Sequence, residues 1–276
     1  MAFPDDFIPE LWSGALLDTL DKNLILTGLT NNRHAGLVQN QGDTVHIQKF
    51  TNLTAGTYSG TVTYEAEASS TVTLSLNQDK YVATSLDSKN ILQAQSDVSL
   101  IQGYTDRIFY GLADDIDTYI GSLYAQSTLT AITWDVGTTD PWDAVLTEAA
   151  EQLNAANVPQ EGRWIVVRPA GLSALQRSAD FQRASDLGDQ ILQTGAIGMA
   201  AGFRVHMSNN LANTTGNFYQ YLYGHPMAIT HAIQMAPGVQ AIDRDAAFET
   251  GLRARIVYGA VAEQTTAFGN IIADET

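Results

Sequence analysis

Between residues 57 and 86 the chain alternates apolar and polar side chains with a period of two. Val62, Tyr64, Ala66 and Ala68 alternate with Thr61, Thr63, Glu65 and Glu67. Val72, Leu74 and Leu76 then alternate with Thr71, Thr73, Ser75 and Asn77. Such alternation, rich in Thr and Val, predicts a β-hairpin with its turn near Glu67–Ser70. Each arm would reach about 35–40 Å at about 3.4 Å per residue. A two-stranded ribbon is marginal in water, so its apolar row has to rest on the chain's own core or on another subunit.

Composition favours another subunit. Only 16% of the 276 residues are charged, against about 25% in ordinary soluble proteins. Lys is scarce at Lys22, Lys49, Lys80 and Lys89, and the other ten of the 14 basic residues are Arg. Protein interfaces are depleted in charge at their centres and favour Arg over Lys. With 30 acidic residues, a net charge of −16 and no basic run, the chain is not expected to grip nucleic acid by neutralising phosphates. It has no cysteine, which excludes disulfides, thiolate metal sites and a Cys nucleophile. The opening MAFPDDFIPELW has neither the basic nor the apolar region of a secretory signal. No apolar stretch approaches the length of a membrane span.

Two helices stand out. Leu11, Trp12, Ala15, Leu16, Thr19 and Leu20 follow Pro9 at helical spacing and predict a short amphipathic helix. About three turns are marginal alone, so Trp12 and Leu16 are expected to need a partner surface. Ser96 to Ser127 predicts one long helix of about 48 Å, with Val98, Ile101, Ile108, Leu112, Ile116, Tyr119, Ile120 and Leu123 on its apolar side. Gln102, Asp106, Tyr110, Asp114 and Asp117 take the polar side.

After the Gly137–Asp140 loop the pattern turns to alternating helix and strand. Asp140-Pro141 predicts a capped helix start, with Trp142, Val145, Leu146, Ala149 and Leu153 buried. Arg163–Arg168 predicts a buried strand, and Pro169 the start of another helix. Phe203–Met207, Met227–Ile233 and a last strand or pair within Gly251–Ala267 follow, Ile256 and Tyr258 facing one way. The class is therefore α+β.

Little in the sequence assembles chemistry. Asp114 and Asp117 share a helix face and would be the acid pair of an α+β hydrolase, but acids on the polar stripe of a long helix are ordinarily its solvated face. His34, His46, His206, His225 and His231 are scattered without metal-ligand spacing and are read as structural. Gly195, Gly198 and Gly202 precede a strand where a nucleotide loop would follow one. No catalytic, cofactor or metal residues are assigned.

Two strings carry a family resemblance. Gly195-Ala-Ile-Gly198-Met-Ala-Ala-Gly202-Phe-Arg-Val-His-Met-Ser208-Asn209-Asn210-Leu211 resembles a segment of one branch of the major capsid proteins of tailed bacteriophages. Ile8-Pro9-Glu10-Leu11-Trp12-Ser13, with Gly42-Asp43-Thr44-Val45-His46-Ile47, is similar to that branch's N-terminal arm and lead-in strand. The tail Arg253-Ala-Arg-Ile-Val-Tyr258-Gly259-Ala260 matches its closing strand in style.

The resemblance implies a Hong Kong 97-type capsid fold. Residues 1–49 would be the N-arm and lead-in strand, 50–88 the extended loop, and 89–136 the peripheral domain with its spine helix. The axial domain would span 137–235, and 236–276 would return to the peripheral domain with the closing strands. It implies a non-enzymatic major capsid protein of the virion, assembled in the host cytoplasm into an icosahedral shell around double-stranded DNA. The chain would pair with itself in pentamers and hexamers, with a separate scaffolding protein, a portal, room for a decoration protein, no sequence-specific DNA binding and no membrane. Trp12, Leu16, Val62, Tyr64, Val72 and Leu74 would make intersubunit contacts. No Lys lies between Glu65 and Thr71, so covalent cross-linking through the loop tip is not expected. A bacterial compartment shell of encapsulin type shares this fold and is the alternative.

Overall fold

The computed structural model describes residues 22, 24–38, 44–50, 53–60, 62, 64, 69–87, 97–178, 198–235, 238–243 and 248–276. In chain order, two helical turns, α1 (Leu26–Leu29) and α2 (Ala35–Val38), precede strands β1 (Thr44–Phe50), β2 (Ser69–Ser75) and β3 (Gln78–Asp87). The long helix α3 (Asp97–Ser122) tightens into a 3-10 turn at Leu123–Gln126 and leads to β4 (Ile132–Asp135). A π-helical turn, Trp142–Thr147, runs into α4 (Glu148–Ala155). Then come β5 (Trp164–Val167), α5 (Pro169–Arg177), β6 (Met199–Ala200), β7 (Phe203–Met207), β8 (Asn213–Thr215) and β9 (Phe218–Gly224). The chain finishes with β10 (Ile229–Met235), β11 (Gln240–Asp243), β12 (Glu249–Ala262) and β13 (Phe268–Asp274).

Local chemistry explains several boundaries. Asp140 Oδ1 accepts from the Trp142 N–H at 2.9 Å and starts the helix expected at Asp140-Pro141. Thr147 Oγ1 donates to Trp142 O and Asp143 O at 2.7 and 2.8 Å. These bonds put a side-chain donor at the widened turn. Arg168 is extended before Pro169, as a residue preceding proline must be. Ala201 and Gly202, with φ of 49° and 82°, form the two-residue turn between β6 and β7, a left-handed pair that matches strand twist in hairpins.

The spine-like helix α3 buries Ile108, Leu112, Ile116 and Ile120, at i+4 spacing, and Leu123 follows them into the core. Against it lies a four-stranded sheet built on β12, whose 14 residues carry β3 along one edge and both β10 and β11 along the other. Leu252, Ala254, Ile256 and Tyr258 alternate into the core beneath α3. A seven-stranded sheet holds β4-β13-β9-β5-β7-β6 in that order, with β8 beside β9. One continuous apolar core joins both sheets.

One expectation is corrected. The ribbon's second arm, β2, pairs with β1, with Val45 opposite Leu74 and Ile47 opposite Val72. The described residues 53–60, 62 and 64 are not strand; the rest of the first arm expected for the hairpin lies outside the described residues. Pairing with β1 sets Val45, Ile47, Val72 and Leu74 on one face over Ala232, an apolar cluster that the Ala and Glu of 65–68 would not provide. The end of the chain divides between the two sheets. β12 does join β3 beside α3, but β13 crosses to the larger sheet, parallel to β4 and antiparallel to β9. The predicted helix over Pro9–Leu20 lies outside the described residues.

Candidate assembly surface

The ribbon of β1 and β2 has a rooted half and a bare half. At the root, Leu74 is 0% exposed and packs with Ile47, Leu76 and Ala232, flanked by Val45, Val72, Val257 and Val261. Full burial of a side chain such as Leu74 contributes about 1.5–3 kcal/mol. Farther out the pattern reverses. Phe50, Leu53 and Tyr58 are exposed, Val62 is 60% exposed and Tyr64 is 89% exposed. The chain anchors the base of its ribbon on its own sheet and leaves the aromatic tip uncovered. Phe248, at the head of β12, Tyr81 on β3 and Met199 on β6 are further bare apolar side chains.

Val62 and Tyr64 therefore stand free, as an intersubunit role requires. Leu74 does not: it is fully occupied by its own chain, and its assignment as an intersubunit contact is corrected. Val72 is half-buried against the same cluster. Trp12 and Leu16 lie outside the described residues.

Asp106 is exposed and Asp114 and Asp115 are half-buried on α3, but Asp117, expected on the same solvated face, is corrected. Asp117 is 0% exposed and accepts from the Thr27 N–H at 3.1 Å and from Asn210 Nδ2 at 3.3 Å. Burial pushes its carboxyl above the ordinary carboxylate range, partly offset by these donors. Asp114 accepts from Asn210 Nδ2 at 2.7 Å and pairs with Lys22 at 3.3 Å. Asp115 accepts from the Tyr258 hydroxyl at 2.7 Å and lies 3.8 Å from Lys80. Three acids thus staple α3 to the N-terminal segment, to the turn after β7, and to β3 and β12. Asn210 brings Asp114 and Asp117 together, but their oxygens are spent on the chain's own donors, which is the work of a fastener.

The turn that supplies Asn210 comes within reach because Gly121 has no side chain. A Cβ there would stand 2.7 Å from the Asn210 carbonyl oxygen. The sequence reading missed Asn210 as a fastener. The available signal was Ala113 and Gly121, small residues one helical turn either side of Asp117, which mark a face approached closely by backbone.

At the other end of the large sheet, Arg168 Nη1 donates to Glu275 Oε2 at 2.6 Å and the Tyr221 hydroxyl to Glu275 Oε1 at 2.7 Å. Arg168 lies 3.5 Å from the Tyr219 ring centroid. These contacts clamp the residue after β13. His231 Nδ1 meets Thr30 Oγ1 at 2.7 Å, and His225 Nδ1 accepts from the Met227 N–H at 3.2 Å. Burial lowers the pKa of both histidines. Among the described residues no three His, Asp or Glu side chains gather as a metal site, and no helix is long and apolar enough to cross a membrane.

Comparison with known proteins agrees with this geometry. No protein-family model matches the chain, and no curated protein sequence matches it significantly. Solved structures do. A structure from Mycobacterium phage Che8 superposes with a TM-score of 0.82 at 28% identity, covering 99% of each chain. The capsid structure of cyanophage P-SCSP1u gives 0.80 at 17% identity, over 97% of this chain and 93% of that one. The capsid of a native GTA particle gives 0.72 at 12% identity, over 98% and 96%. All three share the arrangement described here over nearly the full length.

Proposed function

We propose, from a chain that has the Hong Kong 97-type fold of tailed-phage major capsid proteins, that this protein is the repeating subunit of an icosahedral shell enclosing double-stranded DNA. The observation that carries the reading is the ribbon: a root buried on its own sheet and a tip of Phe50, Leu53, Tyr58, Val62 and Tyr64 left bare. Large exposed apolar surface on a soluble chain marks an interaction site. Here the partner is another copy, because a fold shared with capsid subunits repeats the same surface around a closed shell. The role is structural, with pentamers and hexamers as the assembling units.

Acidity suits the contents. With a net charge of −16, a wall of such subunits repels phosphate within about 8 Å at physiological salt, so DNA can be spooled without adhering. Scaffolding, portal and decoration proteins belong to this proposal as separate chains, and assembly in the host cytoplasm fits a chain without cysteine.

Negative-stain microscopy of the purified full chain, alone and with its scaffolding partner, tests the proposal. Closed shells of uniform diameter are expected, with nuclease-resistant DNA in particles taken from infected cells. Particles that hold a protein cargo and no DNA would favour the compartment shell; a chain that stays monomeric under all these conditions overturns the reading.

A further inference from the structure

The segment that enters the body at Lys22 lies along α3 and runs opposite to it. The Thr27 N–H donates to Asp117 Oδ1 at 3.1 Å. Five residues earlier the Lys22 N–H donates to the Tyr110 hydroxyl at 2.8 Å, and Lys22 Nζ pairs with Asp114 Oδ2 at 3.3 Å. Leu26 is buried, and its Cδ1 lies 3.3 Å from where a Cβ on Gly121 would stand. Tyr110, Asp114, Asp117 and Gly121 follow one another at spacings of four, three and four, which puts them on one line of the helix surface. From Asp117 to Tyr110 that line descends about 10 Å toward the helix start, at about 1.5 Å per residue. At Lys22 the chain is still on this line and still heading that way.

The same line continues where no described residue covers it. Gly103 stands on it seven residues before Tyr110, and nothing among the described residues lies within 4 Å of an added Cβ. Tyr104 and Phe109 stand to either side, 40% and 38% exposed. Gln102–Arg107 are exposed or half-buried, and Ile108 is the first described side chain of α3 in the core. A glycine inside a helix weakens it; at Gly121 the missing side chain admits Leu26 and the turn of Asn210, and Gly103 offers the same room. The chain before Lys22 has the matching length and pattern. Leu11, Trp12, Ala15, Leu16 and Leu20 recur at helical spacing within residues 9–20. Twelve residues of helix span about 18 Å, and α3 from Asp97 to Tyr110 spans about 20 Å. A helix this short is marginal without a surface to lie on. Only Asp21 separates it from Lys22, so its end is tied beside Tyr110.

We propose that residues 9–20 dock as a helix on the first half of their own chain's α3, antiparallel to it, over Gly103 and between Tyr104 and Phe109. Leu16, six residues before Lys22, then comes opposite the Gly103–Asp106 turn, and Trp12 lies one turn nearer the helix start. The apolar row of the segment covers the two aromatic side chains that the sheets leave bare. This docking is complete in a single subunit, whether or not that subunit builds a shell.

Two measurements on the full chain, kept dilute enough to be monomeric, test this. Amide hydrogen exchange over Gln102–Arg107 should be about tenfold or more faster in Leu16→Asp than in wild type, since burying a leucine is worth at least that factor. β9 should stay equally protected in both. Equal rates over Gln102–Arg107 overturn the proposal. The chain has no cysteine, so Leu16→Cys combined with Gly103→Cys supplies a single pair, which should close within one chain on mild oxidation. Disulfide-linked dimers in place of that bond would give the site to a neighbouring copy, and no bond at all would leave the segment undocked; either result overturns the proposal. If Gly103→Cys fails to fold, the exchange comparison still decides, because Leu16→Asp leaves α3 unaltered.

Discussion

Gly259 on β12 lies directly against the Ser75 carbonyl: a Cβ built at 259 would collide with that oxygen and stand 3.0 Å from the Leu76 Cα. This contact is where the root of the ribbon meets the body, and both partners are backbone, so neither can swing away. Gly259→Ala should lower stability by about 1–3 kcal/mol. Gly238→Ala, with nothing among the described residues within 4 Å of its added Cβ, should stay within about 0.5 kcal/mol. Urea denaturation of the two variants checks the contrast, and equal midpoints would mean that the ribbon does not sit down on β12.

The rooted and bare halves of the ribbon should fail differently when charged. Leu74→Asp places a carboxylate in a cluster that holds no cation among the described residues, costing several kcal/mol, and should give little folded subunit. Tyr64→Asp alters a side chain 89% exposed and should leave the subunit's thermal midpoint unchanged while closed particles disappear. Circular dichroism together with particle counts separates the two. Normal particles from Tyr64→Asp would remove the tip from the assembly contact.

What the sequence could and could not reveal follows from which interactions are local. The period of 3.6 in Ile108, Leu112, Ile116 and Ile120 reports a face that the helix itself creates, so α3 was legible almost to the residue. The strands expected at 163–168 and 203–207 stand at 164–167 and 203–207, while the last strand or pair expected within 251–267 divides into β12 at 249–262 and β13 at 268–274. A period of two says which side chains share a face but not which strand lies alongside. Leu74 therefore read as needing a partner without revealing that Val45 and Ile47 of its own chain supply it. Asp117 was unreadable because its burial comes from Thr27 and Asn210, about 90 residues away on either side. The crossing of β13 into the larger sheet has no local signature. Val62 and Tyr64, read as members of an unsatisfied apolar row, are 60% and 89% exposed, whereas Leu74 of the same row is buried on its own chain.

Three tyrosines set the alkaline limit. Tyr221, Tyr223 and Tyr258 are buried, and desolvation pushes each phenol well above its usual range, helped for Tyr221 by Glu275 and for Tyr258 by Asp115. Raised pKa values in the folded state mean that this stability is complete below about pH 10, where the unfolded phenols begin to ionise, and is lost above it. The slope should approach about 1.4 kcal/mol per pH unit for each tyrosine. Urea titrations above pH 10 check this, and Tyr223→Phe should flatten the slope by about a third.

The carboxylate of Glu275 joins Arg168 and Tyr221 after the last strand. Glu275→Ala leaves the partly buried Arg168 guanidinium without its acid and should cost about 1–3 kcal/mol. A double-mutant cycle with Arg168→Ala should return a coupling of at least about 0.5 kcal/mol. Additive losses would show that the clamp is not a unit.

The account turns on the bare ribbon tip finding its cover on another copy of the chain. A cryo-electron-microscopy reconstruction of the assembled particle reads this directly. Phe50, Tyr58 and Tyr64 should lie against a neighbouring subunit with their solvent exposure largely gone. A tip folded back on its own subunit, or pointing into solvent in a closed particle, would contradict the account.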